Sequence, residues 1–126
     1  MPRAAASLAV LMLLEVVTTA HHSVLGFDSS RAIRLQGIVC EVSWSNPHAY
    51  IAMVVRAGAH RGERWTIESE SPVVLRRLGW TQNSVRAGQA IETTGAPDRQ
   101  GRQIMRCQSV SVEGQSPLPC YPAHTQ

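Results

Sequence analysis

The chain has 126 residues, and its twelve basic residues, all of them arginine, outnumber nine acidic residues to give a net charge of +3. This length is enough for one small domain and too short for two separate hydrophobic cores. The charges are scattered, and no run of like charge is longer than the pair Arg76–Arg77, so the sequence predicts no nucleic-acid partner.

The first twenty residues have the three parts of a secretory signal. A basic start at Arg3 precedes an apolar run from Ala4 to Leu14, and the small residues Thr18 and Ala20 stand where a signal peptidase reads the chain. The run is too short to cross a bilayer core of about 30 Å. We therefore expect cleavage after Ala20, no stable membrane anchor afterwards, and a periplasmic or secreted protein that begins at His21.

A long first strand is predicted from Ile33 onwards, where apolar residues alternate with polar ones. Before Gly37 the apolar face carries Ile33 and Leu35. After Gly37 the alternating apolar residues are Ile38, Cys40, Val42 and Trp44. A set of side chains that changes face at a glycine predicts a bulge or sharp bend at that glycine.

The next segments continue the strand pattern. A turn is predicted at Ser45–Asn46–Pro47, followed by a second strand over residues 48–56. Residues 64–68 alternate again and predict a third strand, in which Trp65 and Ile67 face inward.

A short helix is predicted after the third strand, because Ser71 suits the N-cap, Pro72 the first helical position and Gly79 the C-cap. Residues 90–94 and 103–112 predict two further strands, joined by a hairpin. The fold class is therefore mainly β, a small five-stranded OB-like Greek-key barrel with one short helix between strands three and four. An open α+β or sandwich arrangement of the same elements is the alternative.

Four segments follow from these patterns. They are a cleaved signal peptide at 1–20, an N-terminal arm at 21–32, the OB-like barrel domain at 33–113 and a proline-rich tail at 114–126. The cysteines are Cys40, Cys107 and Cys120. In an oxidising compartment they predict one disulfide and one spare thiol, and their spacing leaves the pairing open.

Several short motifs stand in a fixed order along the chain. They are His21-His22-Ser23, Trp44-Ser45-Asn46-Pro47-His48, Trp65-Thr66-Ile67-Glu68, Ser71-Pro72, Leu75, Arg77-Leu78-Gly79-Trp80-Thr81 and Val85-Arg86-Ala87-Gly88-Gln89. Together they resemble a family of small exported bacterial proteins of unknown function. The resemblance covers nearly the whole mature chain and implies export and a small β-barrel. It implies no activity, substrate or cofactor, and the cysteines are not part of the family pattern.

The histidines suggest a metal site. Processing after Ala20 would free the α-amino group of His21, which together with its own imidazole can chelate a late transition metal such as copper. His48, in the first turn, is the best candidate for a third ligand, and His22 is the next. The alternative is that His21 and His22 are solvated and that His48 closes the turn by hydrogen bonding.

A ligand site is the second hypothesis. OB-folds bind ligands on the barrel face around strands two and three, and there we select Asn46, Tyr50, Trp65 and Glu68. The alternative places Trp65 in the core and interprets Glu68 and Glu70 as a solvated edge, or as favourable negative charge before the helix N-terminus.

The sequence favours a binding protein over an enzyme. It contains neither a Gly-x-Ser-x-Gly turn nor a glycine-rich phosphate loop. The leading hypothesis is a non-enzymatic exported domain that binds a small ligand or copper. The alternative is a structural or accessory subunit that docks on another exported protein.

Overall fold

The predicted order of elements is confirmed in the computed structural model, which describes residues 24–123. After a 3-10 turn at Val24–Gly26, the elements are β1 (Ile33–Ser43), β2 (Tyr50–Val55), β3 (Arg64–Glu68), α1 (Pro72–Arg77), β4 (Ala90–Pro97), β5 (Ile104–Val112) and β6 (Leu118–Pro119). The two-residue strand β6 was not predicted.

The five long strands form a closed barrel. Their order in the sheet is β3-β2-β1-β4-β5, and a parallel pairing of β3 with β5 joins the two ends. β1 is long enough to pair with β4 over its first half and with β2 over its second half. Because each strand thus has two neighbours, the OB-like barrel is confirmed and the open arrangement is wrong.

The bulge in β1 lies later than predicted. The register with β2 shifts between Val39 and Glu41, which places the extra residue at Cys40. Leu35 and Val39 are therefore both buried, whereas Cys40, which was predicted to face inward, is exposed.

Gly37 has a different role from the one that the sequence predicted. A Cβ atom at this position would lie 2.2 Å from the carbonyl oxygen of Val54 and 2.6 Å from the side chain of Met53. The prediction that Gly37 forms the bulge is wrong. Glycine is required there because β2 passes too close for any side chain.

The helix covers one end of the barrel. The hydroxyl of Ser71 accepts a hydrogen bond from the backbone N–H of Val74, and Leu75 is fully buried in the core. The backbone N–H of Trp80 donates to the carbonyl of Leu75, so the chain folds back over the last turn. The N-cap at Ser71 and the start at Pro72 agree with the sequence prediction, whereas the C-cap is Leu78 and the left-handed Gly79 follows it.

The tail is held by a disulfide between Cys107 and Cys120, which settles the pairing that the sequence left open. Cys40 is the free cysteine. Strand β6 pairs with β5 just before the disulfide, and the indole of Trp80 donates a hydrogen bond of 2.7 Å to the carbonyl of Pro119. The tail is therefore part of the folded domain as far as the disulfide.

The end of the arm is also attached to the barrel. Phe27 is 2% exposed and forms an isolated bridge with Asp98 of the β4–β5 hairpin. Within residues 24–123, no helix is both long and apolar enough to cross a membrane.

Candidate functional site

A row of polar and aromatic side chains crosses the outer face of the barrel. Tyr50 stands opposite Ser43 of β1 on one side and opposite Glu68 of β3 on the other. Glu68 is in turn opposite Arg106 of β5. These positions alternate with the inward-facing core residues of their strands, so the row lies on the outside.

A cavity of about 210 Å³ lies beside this row; Ser43 and Tyr50 line it, whereas Glu68 and Arg106 do not. The small residues Ala52 and Thr66 line it between the strands, and Tyr50 closes one end. At the other end, Nη2 of Arg64 lies 3.8 Å from Oε2 of Glu41. Ligand pockets usually have volumes of about 300–1,000 Å³, so this cavity suits a fragment-sized molecule.

Glu68 is the most unusual residue on the outer face. It is only 2% exposed, and among residues 24–123 its Oε2 atom has no hydrogen-bond partner. The expectation that Glu68 belongs to a solvated edge is wrong, although its neighbour Glu70 is half-buried. Because a buried polar group without a partner costs about 1–3 kcal/mol, this carboxylate is set up to receive a donor.

The tail reaches the same end of the face. The guanidinium of Arg106 lies 3.8 Å from the ring centre of Tyr121, the residue after the disulfide. Burial raises the pKa of Tyr121, and the negative charges of Glu68 and Glu70 also raise it, while Arg106 lowers it. Sequence reasoning missed Arg106 and Tyr121, because the disulfide that brings the tail here could not be assigned.

Tyr50 is coupled to the same carboxylate. Burial raises the pKa of its phenol, and the charge of Glu68 and a side-chain hydrogen bond to Glu68 raise it further. The two residues are direct partners in the β2–β3 register. A neutral phenol beside a buried carboxylate therefore forms the centre of the candidate site.

The remaining predicted site residues lie around this centre or away from it. Asn46 is exposed in the β1–β2 loop, near His48, whose Nδ1–H donates to the carbonyl of Ser69 at 3.0 Å. The His48 ring stands edge-on to Tyr50, with 6.5 Å between ring centres. Trp65 is 5% exposed and faces the barrel interior, so the structure separates it from Tyr50 and Glu68.

The metal hypothesis is not tested by this structure, because His21 and His22 lie outside the described residues. In the part of the chain that is described, no group of three or more histidine, cysteine, aspartate or glutamate side chains is arranged to hold a metal ion.

A larger open groove, of about 530 Å³, crosses β1, β4 and the end of β5. Its carboxylate at Glu92 accepts a hydrogen bond of 2.7 Å from Gln36, and Arg34 lies 3.5 Å from it. Glu92, the central acid of this groove, thus already has a hydrogen-bond donor in Gln36 and an ion-pair partner in Arg34. The Tyr50–Glu68 face is the stronger candidate despite its smaller cavity.

Comparison with known proteins gives a family and a distant structural likeness. The model of a family of unknown function, DUF6152, matches residues 9–106. No curated protein matches the chain. A solved structure of the ZRD-deleted mutant of TiaS in complex with agmatine aligns with a TM-score of 0.47 and 17% identity, over 71% of this chain and 24% of that one. The chain thus spans about a quarter of that protein's length, and the likeness supports no functional argument.

Proposed function

The chain belongs to the DUF6152 family of unknown function, and we propose that it is an exported, non-enzymatic domain that binds a small ligand on the outer face of β2 and β3. The observation that carries this proposal is the buried Oε2 atom of Glu68, which has no partner among the described residues. A ligand that donates a hydrogen bond there would remove an existing energetic cost.

The neighbouring residues define the ligand further. Tyr50 offers an aromatic edge and a neutral hydroxyl, and Ala52 and Thr66 leave room for a few non-hydrogen atoms beside it. The ligand is therefore small, carries an N–H or O–H group and has a flat or apolar part that contacts the phenol ring.

Export is supported by the disulfide. A bond between Cys107 and Cys120 inside the folded domain suits an oxidising compartment. Intact-mass analysis of the exported protein tests the signal peptide directly. We expect a chain that begins at His21, and a chain that retains residues 1–20 would contradict this part of the proposal.

Backbone NMR tests the ligand site. A library of small amines and alcohols, each paired with a hydrocarbon of the same shape, is titrated into the ¹⁵N-labelled protein. We expect the donor-bearing members to shift the amide signals of Tyr50, Thr66 and Glu68. Glu68→Gln should abolish these shifts, and the matched control Glu92→Gln in the larger groove should retain them. Shifts confined to the larger groove would contradict the proposal.

Copper binding through His21, His22 and His48 stays a separate proposal that rests on the sequence. Elemental analysis of the processed protein tests it. Two results together would favour the accessory-subunit alternative. One is a stable partner protein whose binding is lost in Tyr50→Ala, and the other is the failure of small fragments to bind.

A further inference from the structure

A third cavity, polar in its lining, lies where the arm, the β2–β3 loop and the β4–β5 hairpin meet. Its volume is about 190 Å³. The charged and titratable residues that line it are Arg31, His60, Glu63, Asp98 and Arg102. Two of these are acids, and both already have their hydrogen-bond donors.

Asp98 is occupied by the hairpin itself. Its carboxylate accepts hydrogen bonds from Nε of Arg102 at 3.0 Å and from Nη2 at 2.7 Å. The backbone N–H groups of Gln100 and Arg102 also donate to it. These bonds, chiefly those from the Arg102 side chain, lower the pKa of Asp98 to about 2. Asp98 is therefore not available to a ligand.

Glu63 is occupied in the same way. Its Oε2 accepts a hydrogen bond of 2.7 Å from the indole of Trp65, and Nδ1 of His60 lies 2.9 Å from the same oxygen. The bond from Trp65, followed by the one from His60, lowers the pKa of Glu63. The His60 ring also packs edge-on against Trp65 at 5.0 Å. The imidazole is thus held in place by its Nδ1–H, which donates to Glu63, and in the neutral ring this tautomer leaves Nε2 as an acceptor.

The remaining arginine and amide groups in this cavity are donors. Within the described range, the guanidinium of Arg31 has no hydrogen bond or ion pair, although its charge helps to lower the pKa of Asp28. Arg102 uses only Nε and Nη2 on Asp98, and Gln103 adds an amide to the lining. We propose that this cavity is a site for a small oxyanion, a carboxylate, sulfate or phosphate group, bound by Arg31 and Arg102.

The acids in or near this cavity are engaged by donors of the chain itself. Glu63, Asp98 and Asp28 each have a pKa below the ordinary value. Asp28 is engaged by Ser30 at 2.6 Å, and Arg99 lies 4.0 Å away. These carboxylates therefore already have their partners, and the free donors of the two arginines remain for a ligand.

Isothermal titration with sodium sulfate tests the site, because sulfate is a fully ionised oxyanion at neutral pH. At constant ionic strength we expect saturable one-to-one binding. Arg31→Gln should weaken binding at least about fivefold. The matched control is Arg34→Gln, whose side chain is 68% exposed and lies by Glu92 outside this cavity. It should bind sulfate as the unchanged protein does.

Two results would overturn the proposal. One is the absence of saturable sulfate binding, and the other is an equal loss in Arg31→Gln and Arg34→Gln, which would indicate nonspecific charge screening. Thermal melts of both variants establish that each is folded. If Arg31→Gln does not fold, Arg31→Lys, which keeps the charge, replaces it as the test variant. Acetate and methyl phosphate, titrated in the same way, distinguish a carboxylate ligand from a phosphate ester.

Discussion

Glu68 stands directly opposite Tyr50 across the β2–β3 pair, on the outer face of the barrel, and is nevertheless almost completely buried. Strand alternation would expose both residues. The closure of the barrel places Arg106 on the other side of Glu68, and the disulfide brings Tyr121 to the same end of the face. Among the described residues, Oε2 of Glu68 and the indole N–H of Trp44 are the buried side-chain atoms without a hydrogen-bond partner, and of the two only Glu68 lies in this row. An energetic cost retained at such a position is typical of a functional site.

Glu68→Gln should stabilise the protein at neutral pH by about 1–2 kcal/mol, because it replaces a buried carboxylate, whose Oε2 has no partner among residues 24–123, with a neutral amide. Urea denaturation measures the change in the free energy of unfolding. Glu70→Gln, at the half-buried neighbouring acid, is the control and should have a smaller effect. A clear loss of stability in Glu68→Gln would show that the carboxylate is already compensated.

Gly37→Val should destabilise the protein by roughly 1–3 kcal/mol, because the new side chain would overlap the backbone of Val54. The matched control is Gly26→Val, since nothing lies within 4 Å of a Cβ at Gly26. Denaturant melts of both variants make the comparison. Equal stabilities would mean that β1 and β2 are not as close as the structure has them.

Cys120→Ser should lower the free energy of unfolding by about 3 kcal/mol, since the disulfide closes a loop with a sequence separation of 13. Thermal melts measure the loss. Before reduction, the native protein should react with one equivalent of a thiol reagent, at Cys40. Labelling of Cys107 or Cys120 under these conditions would contradict the pairing.

Asp98→Asn should cost about 2 kcal/mol at neutral pH, because it breaks charge-assisted hydrogen bonds to Arg102. The pKa of Asp98 falls from 3.8 to about 2 on folding, so its contribution is complete above pH 3.8 and is lost as the pH falls through about 2. Urea melts over this range should therefore show the two proteins converging at low pH. If the difference in stability between the unchanged protein and Asp98→Asn is the same at the lowest pH as at neutral pH, this ion pair is not its cause.

Local patterns were sufficient to predict the five long strands and the helix, but not the two-residue strand β6. Alternation defined β2 and β3, and the sequence Ser71-Pro72 together with Gly79 defined the helix. The sequence prediction placed the bulge at Gly37, whereas the structure has it at Cys40. The reason is that hydropathy alone does not decide whether a cysteine side chain faces inward or outward. Close approach between strands, which is the reason for Gly37, leaves no signal in the periodicity of a single strand.

The candidate site was predictable only in part. Tyr50 and Glu68 were selected because OB-folds use the face around strands two and three, and the register places them together. Burial of Glu68 was not predictable, because Arg106 and Tyr121 reach it through barrel closure and a disulfide whose partners the spacing leaves open. The site depends on contacts between distant parts of the chain.

A crystal structure of the exported protein, purified from its own compartment without exchange into ligand-free buffer, tests the central claim most directly. The account predicts electron density for a small non-protein molecule with an N–H or O–H group within about 3.2 Å of Oε2 of Glu68. Density at that atom for a water molecule alone, or for a protein donor that satisfies it, would contradict the assignment of this face as the ligand site.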